Sequence, residues 1–159
     1  MKRKLLTVAL LAFATISVQA QVTFDHLLHT HKEPENWLTY SGNVLGQRYS
    51  LLNQINAGNV KNLELQWIWQ APSLEKYETT SLVLDGILYT IQAPNSTNTA
   101  DGNTQVVALD AATGRPFWRF SYAIPQTARA CCGRVNRGLA ILGDTLYMGT
   151  LNSHLIAIN

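Results

Sequence analysis

Two stretches of this chain have near copies further along it. Ser81-Leu-Val-Leu-Asp-Gly-Ile-Leu-Tyr-Thr90 is echoed by Gly138-Leu-Ala-Ile-Leu-Gly-Asp-Thr-Leu-Tyr-Met148, with Tyr89 and Tyr147 in equivalent places. Gln105-Val-Val-Ala-Leu-Asp110 is echoed by His154-Leu-Ile-Ala-Ile-Asn159, 49 positions later, and Trp69 and Trp118 stand the same distance apart. Each copy is a short apolar run bounded by Gly, Asn, Asp or Pro, the punctuation of strands. A four-stranded unit recurring roughly every 40 to 50 residues is the signature of propeller blades. The two tyrosines are 58 apart, so one unit carries extra length, and the Asn-, Thr- and Gly-rich stretch 95–104 is the place for it.

Strands are expected at 63–69, 81–84, 87–91, 106–109, 116–122, 139–142, 145–150 and 155–158. The first alternates polar and apolar residues, as a half-buried strand does. Asp85-Gly86 and Gly143-Asp144 separate paired runs, where positive φ suits a hairpin turn. No long 3.6-residue apolar period follows the first twenty residues, which limits helix to a turn or two near residues 55–60. The reading is all-β: the first blades of a β-propeller over residues 37–159, about two of them and incomplete. Asn159 closes a strand without the turn and tryptophan that follow its earlier counterpart, at 111–118. The expectation is a truncated piece of a larger ring, since so few blades leave sheet flanks unpaired.

Lys2, Arg3 and Lys4 precede an apolar stretch at 5–18, and Val18-Gln19-Ala20 offers small residues for cleavage. That is a secretory signal, residues 1–20, and its apolar run is short for a membrane span. A periplasmic location follows, with no membrane span after cleavage. The 12 basic and 10 acidic residues become nine and ten once the leader's three are set aside. No basic patch then argues for nucleic acid or an anionic membrane as partner. Residues 21–36 read as a solvated N-terminal tail. His26, His29 and His31 lie close together there, but no carboxylate or cysteine completes a convincing metal set.

Ala108-Leu-Asp-Ala-Ala-Thr-Gly-Arg-Pro-Phe-Trp118 resembles the tryptophan docking motif of the quinoprotein dehydrogenases, which locks each blade to the next. Gly114 permits the tight turn, Thr113 can bond its backbone, and Trp118 offers apolar area with one N–H. This motif speaks for fold more than for activity. Cys131-Cys132-Gly-Arg-Val-Asn-Arg137-Gly is sharper: it resembles the segment of the pyrroloquinoline-quinone (PQQ)-dependent alcohol dehydrogenases that carries a disulfide between neighbouring cysteines, against one face of the quinone. Ordinary disulfides join Cα atoms at least about 4.4 Å apart, whereas adjacent residues are about 3.8 Å apart. Such a bond distorts its peptide and closes almost no loop, so it marks a site better than a staple. Two side-by-side thiols are the alternative.

The resemblance places Arg137 beside a cofactor carboxylate, which a guanidinium fork suits. Arg134 has no counterpart in the family segment and is expected on the surface. Tyr77-Glu-Thr-Thr-Ser-Leu-Val83 resembles the first-blade segment whose glutamate, here Glu78, hydrogen-bonds the cofactor; Ser81 stands where family members often carry proline. Trp37-Leu-Thr-Tyr-Ser-Gly-Asn-Val-Leu-Gly-Gln-Arg-Tyr-Ser50 looks like the family's opening segment, which helps close the ring and is assigned no chemistry.

What the resemblance implies is an eight-bladed propeller holding PQQ and Ca²⁺ (or a lanthanide) near its axis. There the metal polarises the quinone, an aspartate takes the alcohol proton and hydride passes to the quinone. Within this chain it implies four cofactor-binding residues, Glu78, Cys131, Cys132 and Arg137. The catalytic aspartate and metal ligands are expected beyond Asn159. Implied partners are a small alcohol and a cytochrome c electron acceptor. Two alternatives share the repeat, a non-catalytic scaffold propeller of the outer-membrane assembly type and a membrane-bound PQQ sugar dehydrogenase. The paired cysteines favour the alcohol-oxidising branch over both.

Overall fold

Asp85 and Gly86 both take left-handed backbone angles, φ +49° and +76°, the geometry in which a two-residue turn follows the natural strand twist. The hairpin they make joins β1 (Leu82–Leu84) to β2 (Ile87–Gln92). β3 (Asn103–Asp110) and β4 (Pro116–Ala123) extend it into an antiparallel meander ordered β1-β2-β3-β4, with a register shift at Ala108/Leu109. A second meander follows: β5 (Ala140–Leu142), β6 (Thr145–Gly149) and β7 (Leu155–Ile158). This computed structural model describes residues 22–71, 73, 76–93, 103–125, 127–128 and 130–159. The leader expected at 1–20 and most of the inserted stretch at 95–104 lie outside them.

The second sheet repeats the β1-β2-β3 part of the first. Tyr89 stands opposite Leu82 and Ala108, and Tyr147 stands opposite Ala140 and Ala157. The extra length of the first unit falls between β2 and β3, where the repeat offset puts it. Between the sheets lies the core. Leu82, Ile91 and Val106 from the first sheet pack with Ile141, Leu146 and Met148 from the second and with Leu139 just before it, all buried. Each such side chain contributes about 1.5–3 kcal/mol by leaving water.

Two expectations are corrected. Residues 63–69 have no ladder partner among the described residues and form no strand; Leu63, Leu65 and Ile68 are exposed. Alternation specifies a half-buried surface, not a neighbour to pair with. Within this segment Trp67, and not Trp69, takes the docking position. Its Nε1 donates to the Ala111 carbonyl (3.1 Å), and its ring lies on Gly114, where an added Cβ would come within 2.4 Å of Cε3.

The expected tail is no tail over residues 22–36. Val22 and Leu38 are buried in the core cluster. Val22 exchanges two backbone hydrogen bonds with Gly143 (3.0 and 2.7 Å), and Trp37 does the same with Val83 (2.7 and 3.0 Å). Asn36 Oδ1 accepts from the Asp85 N–H at the first hairpin (2.9 Å). Between these contacts runs α1 (Phe24–Leu28), capped by Thr23, which accepts from His26 N–H. Five residues are too few to register as a period, and so the segment reads as irregular. The helical turn expected near 55–60 occurs as a 3₁₀ turn at Val60–Asn62.

Candidate cofactor-binding site

The segments entering β1 and β5, the first strands of the two sheets, lie side by side. Thr80 N–H donates to the Arg137 carbonyl (3.1 Å), and Thr80 pairs with Gly138 in a single parallel bridge. Gly138 is required by that approach: its φ is +144°, and a Cβ there would stand 2.9 Å from the Thr80 carbonyl oxygen. Glycine permits both the angle and the contact. The bridge brings Glu78, two residues before it, to Arg137, with Oε2 3.4 Å from NH2.

Both partners are substantially exposed, and such a pair adds little stability. What it does is hold opposite charges side by side where the two segments meet. Cys131 and Cys132 stand in the same group: they are thiols, Sγ to Sγ 2.7 Å. Contact with Cys131 pushes the Cys132 thiol up from its ordinary pKa, burial adds to that, and the nearby charges of Lys76, Glu78 and Arg137 act on it as well. Of the four residues singled out from the sequence, 53 to 59 positions apart across the two segments, Glu78 and Arg137 are in contact, and both act on the Cys132 thiol through their charges.

Further residues complete the site. Asn136 Oδ1 accepts from Gly138 N–H (3.0 Å) while its Nδ2 donates to the Gly149 carbonyl (2.7 Å), pinning the segment to the end of β6. Tyr40 packs beside Gly138, and the Arg48 guanidinium lies over its ring, 5.0 Å from the centroid. Hydrogen bonding to Thr80, then to Arg48, lowers the Tyr40 hydroxyl from its ordinary value. The Thr79 hydroxyl is buried with no hydrogen-bond partner, next to Gly138. Sequence alone attaches no chemistry to residues 37–50, so it passes over Tyr40 and Arg48. Asn136 carries a readable signal, an Asn two residues before a glycine, where it can turn its own backbone.

Arg134 corrects a further expectation, since it is not a free surface arginine. NH2 donates to the Ile124 carbonyl (3.2 Å) and NH1 to that of Pro125 (3.4 Å). The histidines of the N-terminal segment make local contacts: His29 Nδ1 lies 2.9 Å from Asp25 Oδ1, and the His29 and His31 rings meet edge to face. Among the described residues no group of three or more His, Cys, Asp or Glu could hold a metal ion. Nor is any described helix long and apolar enough to cross a membrane.

A four-stranded meander followed by a three-stranded repeat of it, a tryptophan docked on the β3–β4 turn and a cysteine pair near an Arg–Glu pair point to a quinoprotein-type propeller. The chain belongs to the family described as the PQQ glucose/ethanol/alcohol dehydrogenase β-propeller domain, which it matches over residues 37–159. It is 37% identical over 139 residues to the dehydrogenase subunit of the quinone alcohol dehydrogenase of Gluconacetobacter polyoxogenes, covering 86% of this chain and 18% of that protein. To the quinoprotein ethanol dehydrogenase of Pseudomonas putida it is 33% identical over 156 residues, 97% of this chain and 24% of the relative. Among solved structures it resembles a quinohemoprotein alcohol dehydrogenase of Pseudomonas putida HK5 (TM-score 0.74, 35% identity, 87% of this chain and 19% of that one). A europium-containing methanol dehydrogenase is similar too (TM-score 0.72, 33% identity, 84% and 23%). The chain thus spans about a fifth of the length of the relatives it matches.

Proposed function

We propose that this chain forms one wall of the cofactor site of an exported, periplasmic PQQ-dependent dehydrogenase that oxidises a primary alcohol or similar CH–OH substrate. The observation that carries the reading is the pairing of Glu78 with Arg137 across the Thr80–Gly138 bridge, with the Cys131–Cys132 pair under the influence of both charges. The group fits what it would hold. A planar tricarboxylate needs a cationic fork and fixed polar partners, and Arg137 offers a largely exposed guanidinium. The buried Thr79 hydroxyl, lacking a protein partner, offers a further polar contact.

In this proposal Arg137 binds a cofactor carboxylate, Glu78 accepts a hydrogen bond from the cofactor, and the Cys131–Cys132 pair, oxidised to a disulfide after export, lies against the quinone face. When bound, PQQ would supply the acceptor for the hydride, and with it the two electrons, leaving the alcohol carbon. Ca²⁺ or a lanthanide would be held by residues outside this chain, as would the catalytic base. A cytochrome c is the proposed electron acceptor, in keeping with quinohemoproteins among the similar structures.

Titration of the full-length apoprotein with PQQ in the presence of Ca²⁺ tests the assignment. Arg137→Ala removes the charge-assisted partner of a carboxylate, a loss of about 2 to 5 kcal/mol, or roughly 30- to 4000-fold in affinity. Arg119→Ala, an exposed arginine on β4, should change affinity little. Equal affinities for the two variants would remove Arg137 from the cofactor site.

A further inference from the structure

We propose that Arg134 is the positioning residue of the Cys131-Cys132 turn, an inference that rests on the reading of that turn as a wall of the cofactor site. The side chain runs back against the direction of the chain. Its guanidinium donates to the carbonyls of Ile124 and Pro125, just past the end of β4, at 3.2 and 3.4 Å. Its Nε is buried, and Ile124 is itself buried. One planar cation therefore closes a neck between Ile124–Pro125 and Arg134.

Beyond the neck the chain is pinned by Asn136 to Gly149 and by Arg137 to Thr80. The cysteine turn sits at the tip between these anchors and is exposed. Arg134 anchors its approach from β4; the other anchors hold only its exit towards β5. The Pro125 carbonyl also accepts Ala128 N–H (2.9 Å), a local turn that does not reach the cysteines. Arg134 touches neither thiol and acts through where it places them. Its chemistry suits the task, since a rigid fork satisfies two neighbouring carbonyls at once, whereas a lysine offers a single point charge.

The test uses reduced, full-length apoprotein and iodoacetamide, with the rate of modification of Cys131 and Cys132 resolved by mass spectrometry at one pH. Freeing the turn separates the thiols and relieves the contact that holds the Cys132 proton. Arg134→Ala should therefore raise the Cys132 rate by roughly three- to tenfold, because only thiolate reacts. Arg134→Lys should fall between Arg134→Ala and the parent, and Arg119→Ala should match the parent. PQQ affinity, titrated in parallel, should fall about tenfold in Arg134→Ala while the thermal midpoint of the protein moves little, a loss of about one decade's worth of binding free energy. Parental thiol rates in Arg134→Ala would overturn the proposal. If that variant does not fold, Arg134→Lys decides in the same way. A parent protein that binds no PQQ would sink the functional reading instead, and the thiol rates, which need no cofactor, would still decide the role of Arg134.

Discussion

Replacing Gly114 by alanine should undo the contact between the 63–71 segment and the first sheet. At φ +70° an alanine sits in the left-handed region, which costs about 1–2 kcal/mol. Its Cβ would also stand 2.4 Å from Cε3 and 2.6 Å from Cδ2 of Trp67. The indole must move, and it loses its 3.1 Å hydrogen bond to the Ala111 carbonyl, worth about 0.5–1.5 kcal/mol. Overpacking against the ring adds about 1–3 kcal/mol. The total is about 3–6 kcal/mol. In a Trp67→Ala background only the backbone cost remains, about 1–2 kcal/mol. A double-mutant cycle by urea unfolding of the full-length protein should give a coupling of about 2–4 kcal/mol between Gly114 and Trp67, and near zero between Gly114 and Trp69. Additive effects of Gly114→Ala and Trp67→Ala would refute the docking geometry.

Two other outcomes follow from the site and its surroundings. Tyr77→Phe strands the hydroxyl of buried Thr90, its hydrogen-bond partner, and should cost about 1–2 kcal/mol at pH 7 in thermal unfolding. Burial raises the Tyr77 pKa above its unfolded value, so its contribution is present below about pH 10 and is lost as pH rises through the folded value; Tyr77→Phe should remove that alkaline loss. In reduced protein, Cys131→Ala should speed alkylation of Cys132 near pH 8, because contact with Cys131 is the main cause of its raised pKa. An unchanged rate would mean that the two thiols do not share a proton contact.

The architecture was legible because each strand is short, bounded and repeated. Asp85-Gly86 and Gly143-Asp144 announce their hairpins by backbone chemistry alone, and Tyr89 and Tyr147 occupy matched register positions. Glu78, Cys131, Cys132 and Arg137 could be singled out because they lie in segments with family counterparts, and the contact between Glu78 and Arg137 is what the fold adds. What escaped depends on three-dimensional neighbours. Trp67 and Trp69 are two residues apart on an extended segment, and only the position of Gly114 decides which of them docks. Arg134 looks like any charged loop residue until the fold brings the Ile124 and Pro125 carbonyls within reach of its guanidinium. Val22 stands between Gln21 and Thr23 with no strand pattern around it, and its backbone pairs with Gly143, 121 positions away.

That last pairing has a kinetic side. Val22 meets Gly143 across 121 positions, whereas within each sheet every strand pairs with its neighbour in sequence. Local meanders close small loops and form quickly, while distant contacts must first meet the entropy of a long closure. The N-terminal segment touches both sheets, Trp37 on the first and Val22 on the second, so it cannot seat fully until both exist. Its amides should therefore gain protection from hydrogen exchange after those of β2 and β3, and lose it before them on unfolding. The earliest described residues to be synthesised are among the last to find their place.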